Sequence, residues 1–128
     1  MSATAPSRAD FTAIAQAFDA VDGFGVALLD LDGNICSWNR GATRLFGHRP
    51  EAVIGRSIAC LYVPDAQTSL LLAERLRRAA ESSATVSYEG WRLRADGTPL
   101  WSEGDLGALR DGSGAVVGFI KTLHDRTY

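Results

Sequence analysis

The side chains most able to do chemistry are two histidines, two cysteines and several aspartates. His48 lies between Gly47 and Pro50, in a segment that favours a loop. His124 precedes Asp125, and a carboxylate beside an imidazole is one arrangement used in general-base catalysis. The alternative, which we favour, places His48 in a surface loop and His124 at the solvated end of a strand.

The remaining candidates for catalysis have structural explanations. Asp96-Gly97 and Asp111-Gly112 are typical of tight turns, because Asp bonds to nearby backbone and Gly tolerates positive φ. The sequence contains no nucleophile elbow, phosphate loop or metal triad. We therefore expect that the domain is not an enzyme and has no catalytic or metal-binding residues.

Cys36 and Cys60 fit neither a zinc site nor a redox motif, and two cysteines are too few for a disulfide framework. A reactive thiol requires exposure and a lowered pKa. Without a sequence signal for either property, we expect both cysteines to be small buried apolar groups.

Length and composition indicate one soluble globular domain. The chain has 128 residues, of which 46% are hydrophobic and 22% charged, and these values exclude a disordered chain or a coiled coil. The net charge of −2 gives no electrostatic reason to expect a nucleic-acid partner. The sequence has neither a secretory signal nor an apolar run long enough to span a membrane, so we expect a cytoplasmic location.

Hydrophobic periodicity divides the chain into two parts. Residues 1–22 are predicted to form a loose start followed by an amphipathic helix, with apolar side chains at helical spacing at Phe11, Ile14 and Phe18. Residues 23–128 are predicted to form the main domain. The helix either packs on this domain or contributes to a dimer contact.

The main domain begins with a predicted hairpin of strands 25–29 and 35–38, joined by a turn that includes Gly33. Asn39 is a suitable N-cap for a short helix ending at Phe46, and Gly47 is a suitable left-handed terminator. A further turn of helix is expected at Pro50. The longest predicted helix covers residues 65–83, with Asp65 as its cap.

Strand patterns return in the last third of the chain, at 85–94, 99–109 and 115–124, separated by Asp-Gly turns. Two strands, several helices and three meandering strands indicate an α+β fold, with helices on one face of an antiparallel sheet.

Short motifs in a fixed order extend over nearly the whole chain. The first half contains Ser37-Trp38-Asn39-Arg40-Gly41-Ala42, Leu45-Phe46-Gly47 and Glu51-Ala52-Val53-Ile54-Gly55-Arg56. The second half contains Glu89-Gly90-Trp91-Arg92-Leu93-Arg94-Ala95-Asp96-Gly97-Thr98, Leu100-Trp101, Gly118-Phe119-Ile120-Lys121 and Asp125-Arg126-Thr127. From about Phe18 to Thr127 the chain resembles a PAS domain (the S-box pattern), most of all those of bacterial sensor histidine kinases.

The resemblance implies a PAS fold with a five-stranded antiparallel sheet and any ligand held between sheet and helices. It also implies a sensory module, which we expect to be the N-terminal input and dimerisation domain of a larger bacterial signalling protein of the two-component type. Asp125 and Thr127 match the Asp-x-Thr element that passes the signal to an output helix. Phe11, Ile14 and Phe18 of the N-terminal helix, with Trp91 and Trp101 of the outer sheet face, are the expected homodimer contacts.

The expected pocket residues are the large or polar side chains that would face the helices: Trp38, Phe46, Leu61, Tyr62, Tyr88, Arg92, Ser102, Phe119 and Leu123. This set assumes that Trp91 points outward, and one bulge would reverse the assignment. A pocket containing Arg92 would suit an anionic ligand, whereas a salt bridge to Glu89, Glu103 or Asp105 is the simpler role. For Lys121 we expect the exposed side of its strand, the alternative being burial beside a carboxylate such as Glu89.

Two alternatives to a ligand sensor concern the contents of the pocket. The domain could be an interaction scaffold whose pocket is filled by its own large side chains, or a redox or light sensor with a non-covalently bound cofactor. Haem of the usual kind is not expected, because residues 65–83 contain no histidine. A covalent flavin adduct is not expected either, because Ile58 stands where light-sensing PAS domains have their reactive thiol and Cys60 is two residues late. The identity of any cofactor is left open.

Overall fold

The computed structural model describes Ala17 and residues 24–126. The predicted N-terminal helix residues Phe11, Ile14 and Phe18, and Thr127 at the other end, lie outside the described residues. The elements, in chain order, are β1 (Gly25–Leu29), β2 (Ile35–Trp38), α1 (Arg40–Phe46), α2 (Pro50–Val53), a 3-10 turn (Ile58–Leu61), α3 (Thr68–Glu81), β3 (Val86–Leu93), β4 (Pro99–Arg110) and β5 (Val116–Asp125).

The five strands form one antiparallel sheet in the order β2-β1-β5-β4-β3. Side chains alternate across it, so that Leu100, Ser102 and Leu106 of β4 are buried toward the helices. The five strands and the helices gathered on one face confirm the α+β prediction.

Both faces of β1 are buried, although only one of them faces the helices. Ala27 and Leu29 join the core cluster beneath the helices. Val26 and Leu28, whose side chains point the other way, are equally inaccessible, at 2% and 0% exposure. The sheet therefore has a covered apolar region on its outer side as well.

The glycines at tight turns agree with the predictions. Gly33 closes the β1–β2 turn with φ of 84°, and Gly47 ends α1 with φ of 77°. The predicted start of the long helix is wrong: α3 begins at Thr68, not at Asp65. The Asp65 carboxylate accepts the Gln67 N–H at 2.7 Å and so forms a separate turn before the helix.

Asn39 joins the sheet to the helices. Its side-chain oxygen accepts the N–H of Ala42 at 2.9 Å, which caps α1, and also the N–H of Val26 at 2.8 Å, which belongs to β1. The side chain is 1% exposed. Because both donors are buried, neither has water as a substitute partner.

We predict that Asn39→Ala lowers the free energy of unfolding by about 2 kcal/mol, because it leaves two buried N–H groups without an acceptor. Urea unfolding followed by circular dichroism measures the change. Asn34→Ala is the matched control, since that side chain makes one partly exposed contact, to Asp30 at 3.3 Å. Equal losses in the two variants would contradict the role of Asn39.

Candidate functional site

Three cationic side chains from three elements converge beneath α3. Arg75 comes from the inner face of α3, Arg92 from β3 and Lys121 from β5. Arg92 and Lys121 are each only 5% exposed, which is unusual for charged residues. The same strand alternation that buries the core places both of them on the helix-facing side of the sheet.

The Arg92 guanidinium lies flat between its own strand and an aromatic ring. Its Cζ is 4.0 Å from the ring centroid of Tyr62, and its Nη1 donates to the carbonyl of Trp91 at 2.9 Å. Gly90 makes room for this arrangement, because a Cβ there would lie 2.9 Å from Nη1. Stacking on the ring offsets part of the cost of burying the charge.

Arg75 is placed between two tyrosines. Its Cζ is 4.3 Å from the ring centroid of Tyr88, and its Nη1 donates to the Tyr62 hydroxyl at 3.2 Å. Its Nε is buried without a hydrogen-bond partner, and the same is true of the Tyr88 hydroxyl. Arg75 and Tyr88 therefore each have a buried polar atom with unused hydrogen-bonding capacity.

Lys121 is buried, so the expectation that it occupies the exposed side of β5 is wrong. Burial is the main reason that its pKa falls to about 7, and the positive charges of Arg92 and Arg75 lower it further. Of the groups in the described part of the chain, Asp105 raises the pKa of Lys121. The ammonium has no ion-pair partner in residues 24–126, and it therefore carries an uncompensated desolvation cost.

The nearby carboxylates are engaged elsewhere. Glu103 pairs with Arg126 at 3.2 Å, and Asp105 accepts the Ser87 hydroxyl. Within the described part of the chain Arg92 forms no salt bridge, so its predicted pairing with Glu89, Glu103 or Asp105 is absent. Within residues 24–126, no salt bridge neutralises Arg75, Arg92 or Lys121.

A small cavity lies among these side chains. It measures about 10 Å³, which is room for about one water molecule, and Tyr62, Arg75, Tyr88 and Lys121 contribute to its wall. We call it the inner chamber. A larger cleft of about 540 Å³ lies beside it, between α3 and the β1–β2 turn. Ile58, Leu72 and Leu76 line both spaces.

The residues predicted for the pocket divide into three groups. Tyr62 and Tyr88 line the inner chamber; Arg92 stacks on Tyr62 at its edge. Phe119 lines the larger cleft. The others are buried and contribute to neither cavity wall: Trp38, Phe46, Leu61, Ser102 and Leu123.

Sequence reasoning missed Arg75 and misplaced Lys121. The signal for Arg75 was the spacing of Leu72, Arg75, Leu76 and Ala79, which puts an arginine on the buried stripe of α3. For Lys121 the signal was its spacing on β5, two residues from Phe119 and two from Leu123, which puts the three side chains on the same face of the sheet. In both cases the surrounding residues are apolar, so the pattern indicated a core position despite the charge.

The other reactive side chains show no catalytic arrangement. His48 and His124 are half-buried instead of solvated, and the His124 ring stacks on Phe24 at 5.3 Å between centroids. Cys36 and Cys60 are half-buried as well, and burial raises the pKa of the Cys60 thiol, which reduces its nucleophilicity. Among the described residues no His, Cys, Asp and Glu cluster could hold a metal ion.

The outer face of the sheet carries a tryptophan pair. Trp91 and Trp101 are directly opposed on β3 and β4, with centroids 5.2 Å apart and rings nearly perpendicular. Trp91 is 52% exposed. The end of β5 is tied to the same strands, because Arg94 pairs with Asp125 at 3.6 Å and the Arg126 N–H donates to the Trp101 carbonyl at 2.8 Å.

We predict that stability rises with pH because of Lys121. With a folded pKa of about 7 against 10.5 in its usual state, the unfolded chain binds more protons between these pH values, so stability increases through that window. From pH 7 to about pH 9 the gain should be about 2 kcal/mol. Urea unfolding across this range should show the rise in the native chain and its loss in Lys121→Met.

Arg78→Met, which removes an exposed cation from α3, is the matched control and should keep the rise. A native chain whose stability is flat over this pH range would contradict the burial of an uncompensated Lys121.

The sequence matches a known domain family and two curated signalling proteins. The family described as PAS domain matches residues 22–127. The two-component system protein A of Emericella nidulans is 32% identical over 109 residues, which are 85% of this chain and 16% of that protein. The biofilm dispersion protein BdlA of Pseudomonas aeruginosa is 29% identical over 99 residues, 75% of this chain and 23% of that protein.

A solved structure agrees over almost all of both chains. The PAS domain of a protein from Colwellia psychrerythraea has a TM-score of 0.78 and 29% identity, covering 91% of this chain and 96% of that one. In the described residues no helix has the length and apolar character needed to cross a membrane. The sheet order, the helices on one face and the match over residues 22–127 lead to one conclusion: the chain belongs to the PAS domain family, whose members are sensory modules.

Proposed function

We propose that this PAS domain is the cytoplasmic input and dimerisation module of a larger two-component signalling protein, a histidine kinase. The observation that carries the proposal is the likeness to a two-component protein over 85% of this chain. The chain spans less than a quarter of the length of each curated relative it matches. A unit of this size with no catalytic arrangement in its described residues is suited to regulate an output domain in the same polypeptide.

The outer face of the sheet is the proposed dimer surface. Trp91 is a large, half-exposed aromatic residue, and such residues contribute strongly to interfaces. Trp101 supports it edge to face. The predicted N-terminal helix, with Phe11, Ile14 and Phe18, is the second proposed contributor.

The proposed output path leaves the sheet at Asp125 and continues through Thr127. Arg94 and Trp101 bind the end of β5 to the β3–β4 hairpin, so a change in packing at the tryptophans also acts on the exit of the chain. A signal is transmitted if a ligand or partner has different affinity for two such packings.

A specific observation also favours the scaffold function. Trp38, Phe46, Leu61, Tyr62 and Phe119 all belong to one packed core cluster, and the inner chamber has room for only about one water. A scaffold of this kind would dimerise or bind partners without any small molecule. The two functions differ in whether the chamber binds a ligand.

We predict that Trp91→Arg weakens the homodimer at least about tenfold, because a charge would replace the central aromatic contact. Sedimentation equilibrium of the full chain measures the dissociation constant. Leu70→Arg is the matched control, since Leu70 is a 71% exposed apolar residue on α3, on the other side of the sheet. The same dissociation constant in the native chain and in Trp91→Arg would contradict the outer-face dimer.

Removal of all residues before Asp19 should also weaken the dimer, because it deletes the apolar positions Phe11, Ile14 and Phe18. The same sedimentation measurement applies, with circular dichroism to verify that the sheet is retained. An unchanged dimer would remove the N-terminal helix from the proposed interface while leaving the tryptophan surface in place.

A further inference from the structure

The inner chamber contains hydrogen-bonding groups that the described protein does not satisfy. The Tyr88 hydroxyl and the Arg75 Nε are buried without partners, and Lys121 is 5% exposed with no ion pair in residues 24–126. Buried polar groups are almost always paired. Two unsatisfied atoms on one cavity wall, beside an ammonium group without an ion pair, indicate a missing partner more strongly than any one of them alone.

The charges around the chamber favour an anion as that partner. Arg75, Arg92 and Lys121 are three cationic side chains close together, and among the described residues Asp105 is the one carboxylate that acts on Lys121. Breaking a buried ion pair leaves an uncompensated charge at high cost, and restoring the opposite charge recovers that energy. A ligand with one negative charge would accept hydrogen bonds from Arg75 and Lys121, which both line the chamber.

The walls of the chamber determine which anion fits. Leu29, Leu72, Leu76 and Leu106 line it together with the polar groups. A dianion such as phosphate would lose much of its hydration against these apolar side chains. A carboxylate carries a single charge and two acceptor oxygens, so it matches a site with a few donors in an apolar surround.

The larger cleft indicates where the remainder of such a molecule would lie. Ile58, Leu72 and Leu76 separate the cleft from the chamber and line both. The cleft wall is mostly apolar and includes Leu31, Ala73, Ala80, Val116 and Phe119. A short hydrocarbon chain attached to the carboxylate would be buried there with a favourable hydrophobic contribution.

We propose that the domain binds a small monocarboxylic acid with a short apolar chain, its carboxylate on Arg75, Lys121 and the Tyr88 hydroxyl and its chain directed past Leu72 and Leu76 into the cleft. This proposal rests on the sensory role proposed above. The chamber described here is nearly closed, so binding requires the Leu76 or Arg75 side chain to move. That requirement gives the ligand different affinities for two packings of α3 against the sheet, which a sensor needs.

The test is the thermal midpoint of the full chain with sodium hexanoate, compared with neutral hexanamide of the same length. At ten times its dissociation constant hexanoate should raise the midpoint by about 4 °C, and native mass spectrometry should show one added hexanoate per chain. Hexanamide should have no such effect. An equal response to both would overturn the ionic site, and no response to either would overturn the proposal.

Lys121→Met distinguishes a ligand site from a structural role. Without ligand this variant should have a higher midpoint than the native chain at pH 7, because it removes a buried uncompensated charge, yet it should lose the hexanoate response. Arg78→Met should keep the response. Retention of the full hexanoate response in Lys121→Met would overturn the assignment of the site.

Sodium acetate tests the apolar part of the proposal. Hexanoate should bind at least about tenfold more tightly, since each buried CH₂ contributes to affinity. Equal affinities would overturn the placement of the chain in the cleft. If neither hexanoate nor acetate binds while Trp91→Arg still weakens the dimer, the carboxylate site is wrong and the proposed dimerisation module is unaffected.

Discussion

The amide side chain of Asn39 is the contact on which the arrangement of sheet and helices depends. One oxygen binds the backbone of β1 and the first turn of α1 at the same time. These two hydrogen bonds hold the start of α1 against β1, where the chain crosses over into its helical segment. The inner chamber exists because that crossing encloses the same face of the sheet toward which Arg92 and Lys121 point.

The chamber lowers the stability of the folded domain. Among the described residues, buried Asn39 and Ser37 have hydrogen-bond partners, whereas the buried Thr43 hydroxyl in α1 has none. Around Arg75 and Lys121 the protein supplies aromatic faces and a tyrosine hydroxyl but no direct carboxylate. Cation–π contacts with Tyr62 and Tyr88 offset part of the desolvation cost. An arrangement that is unfavourable in the empty protein and favourable with an anion is a physical basis for sensing.

Most of the fold could be predicted from local sequence signals. Gly33 and Gly47 mark turns that need positive φ, and strand periodicity located all five strands to within about two residues. The start of α3 could not be predicted in this way. Asp65 is a residue type that caps helices, but its carboxylate accepts the Gln67 N–H in a separate turn before the helix. Capping preferences alone do not tell whether such an Asp starts a helix or a turn.

The candidate site was harder to predict because it depends on which face of the sheet each strand presents. Arg92 faces the helices if Trp91 points outward, and the structure has Trp91 exposed and Arg92 buried. For Lys121 the charge favours the exposed face, whereas the apolar neighbours Phe119 and Leu123 favour the buried face, which it occupies. Its position two residues after Phe119 and two before Leu123 places the ammonium group on the same buried face of β5 as these side chains.

The perpendicular tryptophans on β3 and β4 also have an optical consequence. Two indole rings 5.2 Å apart couple their electronic transitions, and the coupled pair gives a far-ultraviolet circular dichroism signal that neither ring has alone. The sign and size of that signal depend on the angle between the rings. The domain therefore contains an intrinsic spectroscopic reporter of the geometry of the β3–β4 hairpin.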